Sequence, residues 1–420
     1  MTPGEDLSTE PYKGVRDFYP ADWRRMTAMF TGVRRVLESH GFEEFQASPL
    51  EHSELYESKG NEEIIREQTF SFIDRGERRV TLRPEMTPTL ARMVAGKRRE
   101  LAFPLRWFSI GNRFRYERPQ KGRLREFYQT DVDLVGLPEG EADLEIIAMA
   151  SEILKSFGAT DDDFVIRINS RKLIRLASEA VGLPEGEVSR AYWQLVDRKA
   201  KMSAEEFAAA RKEFTADPLA EIERANEGAV AEEKARVKAL VDMLKERGVS
   251  NAVFDTDIVR GFDYYTGTVF EVSDTNPENP RALFGGGRYD GLVSMFGGEA
   301  VPAVGFAFGD VTMMDFLDTH GLALTTGSQA DVYIATPSPE NRGDAESFAR
   351  ALRADGVRVF VNLTEKGLGD QIKDADKRSI PYVIVYGADE VSATSVTVKT
   401  LSTGDEEVIE KDSVAPRLRS

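Results

Sequence analysis

Apolar residues recur with a helical period near the start of the chain and with a strand period soon after it. Trp23, Met26, Phe30, Val33 and Leu37 fall on one stripe of a helix from Asp22 to Gly41, with Asp22 placed to cap it and Gly41 to end it. Leu105 to Tyr116 and Phe127 to Val135 are β-rich runs separated by the polar stretch Arg118 to Arg125. That pattern predicts an antiparallel hairpin with an unusually long, basic loop, and such loops are either disordered or functional. From about Ser170 to Ser250 the chain is rich in Ala, Glu, Lys and Arg and reads as helical, and the β pattern resumes from Val253 to Gly309. The helical stretch, about 170–252, is therefore expected to be an insertion within a larger domain. A helix from Val311 to Thr319 leads into a linker, Leu322 to Gln329.

The remainder alternates. Strands are expected at Asp331 to Ala335, Val357 to Val361 and Tyr382 to Tyr386, with helices at Arg342 to Ala354 and Leu368 to Lys377 between them. Val396 to Ile409 reads as a hairpin turning at Thr403-Gly404. Strands alternating with helices predict a small α/β domain with a largely parallel sheet. The plan is an α+β domain over residues 1–325 and an α/β domain over 326–420.

Composition narrows the classes. At 420 residues the chain is longer than one core usually supports. No run approaches the length of an apolar bilayer span, and Met1 to Asp22 lacks the apolar core of a signal peptide. Cysteine is absent, which excludes disulfides, thiolate zinc sites and cysteine nucleophiles. A cytoplasmic location without membrane attachment is the expectation. The net charge of −17 argues against a nucleic-acid partner only weakly, because phosphate contacts depend on the local field. Between Arg92 and Arg125 there are eleven Lys or Arg against two acids, Glu100 and Glu117. Composition alone leaves that segment open as a solvated basic face or a phosphate site.

The chemistry concentrates in Phe114 to Gln129, FRYERPQKGRLREFYQ, which places Arg115, Arg118, Lys121, Arg123 and Arg125 on or beside the hairpin and Phe127 on its returning strand. Cations for phosphates and an aromatic face for a base are what an ATP site needs. This segment resembles motif 2 of the class II aminoacyl-tRNA synthetases, and RPQKGR within it resembles the histidyl-tRNA synthetase version. Other stretches resemble that family in its order: KGVRDFYP (Lys13 to Pro20), a motif 1-like segment (Gly41 to Pro49), TLRPEMT (Thr81 to Thr87), VRGFDYYTGTVFE (Val259 to Glu271) and GGGRYDGL (Gly285 to Leu292). Gly369 to Tyr386, GDQIKDADKRSIPYVIVY, resembles the anticodon-binding domain.

The resemblance implies a class II antiparallel sheet with flanking helices, a homodimer, and a ligase that uses ATP, L-histidine and tRNA(His). It assigns Arg115 to the α-phosphate, Arg123 to the outer phosphates, Phe127 to stacking on adenine and Glu117 to the adenine amino group. Glu85 would take the substrate ammonium, shared with Thr87 and Gln129. Asp133 and Tyr265 would read the imidazole in a pocket lined by Tyr264 and Tyr289. Arg260 would align the two reacting anions and neutralise charge on the α-phosphate, a role that suits a rigid, permanently charged fork. The acceptor end of the tRNA would pass Arg118, Gln120 and Lys121. Mg²⁺ would come with ATP, and no protein side chain is assigned to a metal.

Taken singly, the pieces have plainer readings. Glu85 sits where an acid favours a helix start. Gly285-Gly286-Gly287 is not a P-loop and marks either a turn or a close backbone approach. His40, His52 and His320 lack ligand spacing and read as structural or surface residues. Trp23 and Trp107 read as core. Coexistence in one order favours the site.

One departure is large. In Ala303 to Leu317, AVGFAFGDVTMMDFL, Thr312 stands where motif 3 carries an arginine for the γ-phosphate, and Arg123 or Arg113 is the expected replacement. Asp133 stands where some relatives have Glu, and Tyr116 where histidine is frequent. The alternative reading is a non-charging paralogue, a histidine-sensing regulatory subunit of ATP phosphoribosyltransferase. The presence of Arg260 and of a C-terminal domain speaks against it. The threonyl, prolyl and glycyl synthetases are disfavoured by the lack of cysteine and by RGFDYY with GGGRYDGL. An acidic binding scaffold would leave the basic hairpin unexplained.

Overall fold

The computed structural model describes residues 8–57, 68–120, 122–184, 186–199, 202–259, 264–324 and 326–419. The chain divides into two compact units between Leu324 and Thr325.

In the first unit helix α1 (Pro20–Ser39) begins two residues before the expected Asp22. Proline at the first turn loses no hydrogen bond there, so it starts the helix, and Asp22 lies inside the first turn rather than at the cap. Met26, Phe30, Val33 and Leu37 are buried as expected, but Trp23 is 41 % exposed. It packs against the rings of Phe18 and Tyr128 instead of entering the core. Strand β1 (Glu43–Glu44) follows, then a small sheet of β2 (Leu50–His52), β3 (Phe70–Ile73) and β4 (Arg79–Leu82) in the order β2-β4-β3. Strands of three or four residues hold too few positions to show a period, so this sheet leaves no periodic signal along the chain.

After α2 (Thr87–Lys97), β5 (Leu105–Phe114) and β6 (Glu126–Val135) form the expected hairpin, paired from Leu105↔Val135 to Phe114↔Glu126. Next come α3 (Glu141–Ser156) and β7 (Phe164–Ser170). Among the described residues five helices then intervene: α4 (Arg171–Ala180), α5 (Glu187–Asp197), α6 (Ala204–Arg211), α7 (Pro218–Arg224) and α8 (Gly228–Glu246). They carry a core of their own around Leu173, Tyr192, Trp193 and Leu219. The chain returns in β8 (Ala252–Phe254), parallel to β7, a pairing that requires a crossover rather than a tight turn. Strands β9 (Thr268–Asp274), β10 (Ala282–Arg288) and β11 (Ala303–Gly309) and helix α9 (Asp310–Thr319) complete the unit.

The sheet runs β1-β5-β6-β11-β10-β9-β7-β8. It is antiparallel from β5 to β7, with a parallel pair at each edge, β1 with β5 and β7 with β8. The antiparallel expectation therefore holds for the middle of a mixed sheet. Alternation along the strands gives the sheet two different faces. Val132, Leu134, Ile168, Phe270, Phe284 and Phe306 enter the main core with α1, α3, α8 and α9. Gln129, Asp131 and Asp133 face the other way.

The second unit holds β12 (Val332–Ala335), α10 (Arg342–Ala354), β13 (Val359–Val361), α11 (Leu368–Lys377) and β14 (Tyr382–Val385). A short α12 (Ala388–Ser392), the hairpin β15 (Ser395–Thr400) and β16 (Glu406–Glu410), and α13 (Val414–Arg419) follow. The order is β13-β12-β14-β15-β16, parallel among the first three strands and antiparallel beyond. Val332, Ile334 and Ile384 pack on one face with Phe348 and Val414, and Tyr333, Ala335 and Val383 on the other with Ala375 and Ile380.

Candidate active site

Strand β6 presents Gln129, Asp131 and Asp133 to a pocket of about 140 Å³. Seven residues expected to read an amino acid line it: Glu85, Thr87, Gln129, Asp133, Tyr264, Tyr265 and Tyr289, joined by Arg115. They come from the turn before α2, from β6, from the segment before β9 and from the end of β10. Arg260 and Lys121 lie outside the described residues. Asp131, also in the lining, was missed by sequence reasoning. It accepts from Gln129 Nε2 at 2.7 Å and from Arg113 Nη2 at 2.5 Å. The two-residue period from Gln129 to Asp133 was the signal that pointed to it.

Glycine makes the floor. A Cβ on Gly305 would strike the Asp133 carboxylate and stand 2.5 Å from Val132 O. One on Gly287 would stand 2.8 Å from Thr268 O and 2.9 Å from Tyr265 Cδ1. The glycine run thus marks close approach inside a strand, not a turn. The neighbouring Arg288 is fully buried and grips Asp143 with two bonds, at 2.8 and 3.2 Å, which fixes the backbone that carries Tyr289.

The pocket holds its carboxylates away from water. Burial pushes the Glu85 carboxyl up to about 7, opposed by the hydrogen bond that Tyr264 donates at 2.8 Å. Burial pushes Asp133 further, to about 8, although Tyr289 donates to its Oδ1. Asp133 Oδ2 is buried with no hydrogen-bond partner among the described residues. Such a group costs stability unless something else satisfies it, and an imidazole N–H is the right donor.

Beside the pocket lies the hairpin. Arg115 donates to Pro84 O at 3.0 Å and stands 5.3 Å from the centre of the Phe127 ring. Glu117 and Arg123 form an ion pair at 2.9 Å, while Arg118 and Gln120 are exposed on the loop. Arg125 is taken up structurally: it lies over Tyr116 at 4.0 Å and its backbone N–H donates to Gly14 O at 2.7 Å. The N-terminal KGVRDFYP segment thus braces the hairpin. The expectation of Arg113 as a replacement for the missing motif 3 cation is corrected. Arg113 is fully buried, its charge committed to Asp131 and to Asn112 O at 3.0 Å. Thr312 donates to Gly309 O at 3.2 Å, inside the first turn of α9.

A family model described as "Histidyl-tRNA synthetase" matches residues 14–312, and one described as "Anticodon binding domain" matches residues 331–420. The chain belongs to the histidyl-tRNA synthetase family. Within that family it is 39% identical over 426 residues to the histidine–tRNA ligase of Opitutus terrae, covering 97% of each chain. It is 37% identical over 413 residues to that of Leptospira biflexa, covering 95% of this chain and 94% of the other. The solved histidyl-tRNA synthetase of Nostoc sp. PCC 7120 has a TM-score of 0.79 and 26% identity, with 99% of each chain covered. The fold is that of the class II histidyl-tRNA synthetases, with an anticodon-binding domain that has its own sheet.

Proposed function

We propose that the chain is a histidine–tRNA ligase that activates L-histidine with ATP and transfers it to tRNA(His). The observation that carries this reading is the pairing of two buried carboxyls, Glu85 and Asp133, across one small pocket beside Arg115 and Phe127. Glu85 ionises against the substrate ammonium, and Asp133 and Tyr265 bind the two imidazole nitrogens. A pocket whose buried polar groups each need a partner rejects side chains that leave them unpaired. The substrate carboxylate then attacks the α-phosphorus, the bond to the β-phosphate breaks, and pyrophosphate leaves. A hydroxyl at the 3′ end of the tRNA then attacks the acyl carbon, the acyl–phosphate bond breaks, AMP leaves, and the hydroxyl proton passes to solvent. No proton needs removing in the first step, so the protein's task is alignment and neutralisation. Arg115 serves this on the α-phosphate, and Arg260 is assigned the same work by family resemblance. Phe127 stacks on adenine, Glu117 accepts from its amino group, and Arg123 faces the outer phosphates.

Mg²⁺ enters this reading with the triphosphate. The ion would be held mainly through phosphate oxygens and water, as Mg²⁺ on a nucleotide is. Residues 1–325 are assigned as the catalytic domain, with about 170–252 as its insertion, and 326–420 as the anticodon-binding domain. Arg118 and Gln120, with Lys121, are assigned to the acceptor end. A homodimer is supported by Leu50, Phe72 and Ile73, exposed on the small sheet near the motif 1 segment. No helix among the described residues is long and apolar enough to cross a membrane, and a cytoplasmic enzyme is the proposal.

Histidine-dependent ATP–pyrophosphate exchange tests the function. Exchange that requires histidine and is lost in Arg260→Ala is the expected result. Histidine binding by calorimetry without exchange would favour the regulatory paralogue, the reading to which Thr312 lends support.

A further inference from the structure

Helix α9 reads DVTMMDFLDT, with three aspartates and neither lysine nor arginine. Its first turn is committed to the protein itself. Asp310 pairs with Arg16 at 2.6 Å and accepts from Tyr128 N at 2.9 Å, and Thr312 closes on Gly309 O. No cation reaches a triphosphate from this helix, yet the outer phosphates carry most of the charge of ATP.

The neighbouring strand supplies one. Phe284 of β10 pairs with Phe308 of β11, so Arg281, three residues before Phe284, lies at the same end of the sheet as Gly309 to Thr312. The loop leading to Arg281 is tied to α9 by Asn279 Nδ2, which donates to Thr319 Oγ1 at 3.0 Å. From there the Arg281 side chain crosses to the tip of the basic hairpin. A Cβ on Gly122 would stand 2.7 Å from Arg281 Cδ and 3.0 Å from its Nε. Gly122 also has a φ of +74°, in the tight turn where Gln120 and Arg123 bridge. Glycine is required there twice, by the turn and by the arginine lying on it. Burial pushes the Arg281 guanidinium down, Arg123 pushes it further, and Glu117 opposes both. Arg281 and Arg123 are thus held close enough to repel one another and partly out of water. A polyanion relieves that arrangement.

We propose that Arg281 supplies, from the strand side and beside Arg123, the cation on the outer phosphates of ATP that α9 lacks at Thr312. This rests on the ligase reading of the same site.

The test is histidine-dependent ATP–pyrophosphate exchange with the full-length protein, read as separate KM values. Arg281→Ala raises KM for ATP at least tenfold and leaves KM for histidine within twofold, and Arg281→Lys lies between it and the unmodified protein. Moving the charge back, in Arg281→Ala with Thr312→Arg, lowers KM for ATP again, which a merely structural role would not produce. Arg281→Gln, which keeps the stem over Gly122, carries the same expectation should Arg281→Ala unfold. A KM for ATP within twofold of the unmodified protein overturns the proposal while leaving the ligase reading intact. So does an equal rise in both KM values with no rescue by Thr312→Arg. Absence of exchange in the unmodified protein overturns the ligase reading, and this proposal with it.

Discussion

The hydroxyl of Tyr264 donates a 2.8 Å hydrogen bond to Oε2 of Glu85, across 179 residues of sequence and inside a buried pocket. The bond orients a carboxyl that burial holds up at about 7, so that it rests between its two protonation states at neutral pH. A substrate ammonium arriving beside it favours the ionised form and displaces a proton.

Histidine binding is therefore expected to release a proton near neutral pH and to weaken as pH falls below about 7, where Glu85 is already protonated. Glu85→Gln abolishes the release and raises KM for histidine about 10- to 150-fold, the worth of ~1.5–3 kcal/mol for a hydrogen bond to a charged group. Calorimetry in two buffers of different ionisation enthalpy measures both. Unchanged proton release in the variant removes Glu85 from the role.

The same burial makes stability depend on pH with a definite sign. Glu85 and Asp133 are raised to about 7 and about 8, so the folded state keeps protons that the unfolded chain gives up near pH 4. Their stabilising contribution is full below that pH and is lost as pH rises through 7 and 8. The Tm of Glu85→Gln relative to the unmodified protein, both without substrate, should accordingly rise between pH 5 and pH 8. A difference constant across that range would count against the buried neutral carboxyl.

Gly305 keeps room for the imidazole-reading acid. In Gly305→Ala the new Cβ meets the Asp133 carboxylate and Val132 O, and both sit in a paired strand with little freedom to move. Histidine binding should weaken more than tenfold and stability fall by about 1–3 kcal/mol, as overpacking does. Titration calorimetry and a urea melt separate the two effects.

Arg288 is an anchor rather than a ligand. Arg288→Leu leaves Asp143 buried without its partner, and should cost about 3–5 kcal/mol in chemical denaturation. A loss below about 1 kcal/mol would mean that the pair contributes little.

Thr312 is expected to do little for the nucleotide. Its hydroxyl is spent on Gly309 O, so Thr312→Ala should change apparent ATP affinity less than tenfold in the exchange assay. A collapse would give Thr312 a direct part.

Much of the fold is legible in the sequence. The hairpin from Leu105 to Val135 announced itself because ten-residue strands show their period, and the basic loop stood out against an acidic chain. Glu85, Gln129, Asp133, Tyr264 and Tyr289 were named because family resemblance fixes residue types at an order along the chain, and they meet in one pocket. Trp23 misled, because a helical stripe tells which way a side chain points but not whether anything covers it.

What the sequence by itself determined were the local patterns: the elements, the two-part plan and the residue types available for chemistry. The tertiary structure decided the rest. It buried Arg113 against Asp131 and left Arg281 lying on Gly122, though both are arginines beside the same sheet. That difference has a physical cause: the surroundings of a charge depend on which groups the fold brings within a few ångströms and how much water it removes, and neither is written along the chain.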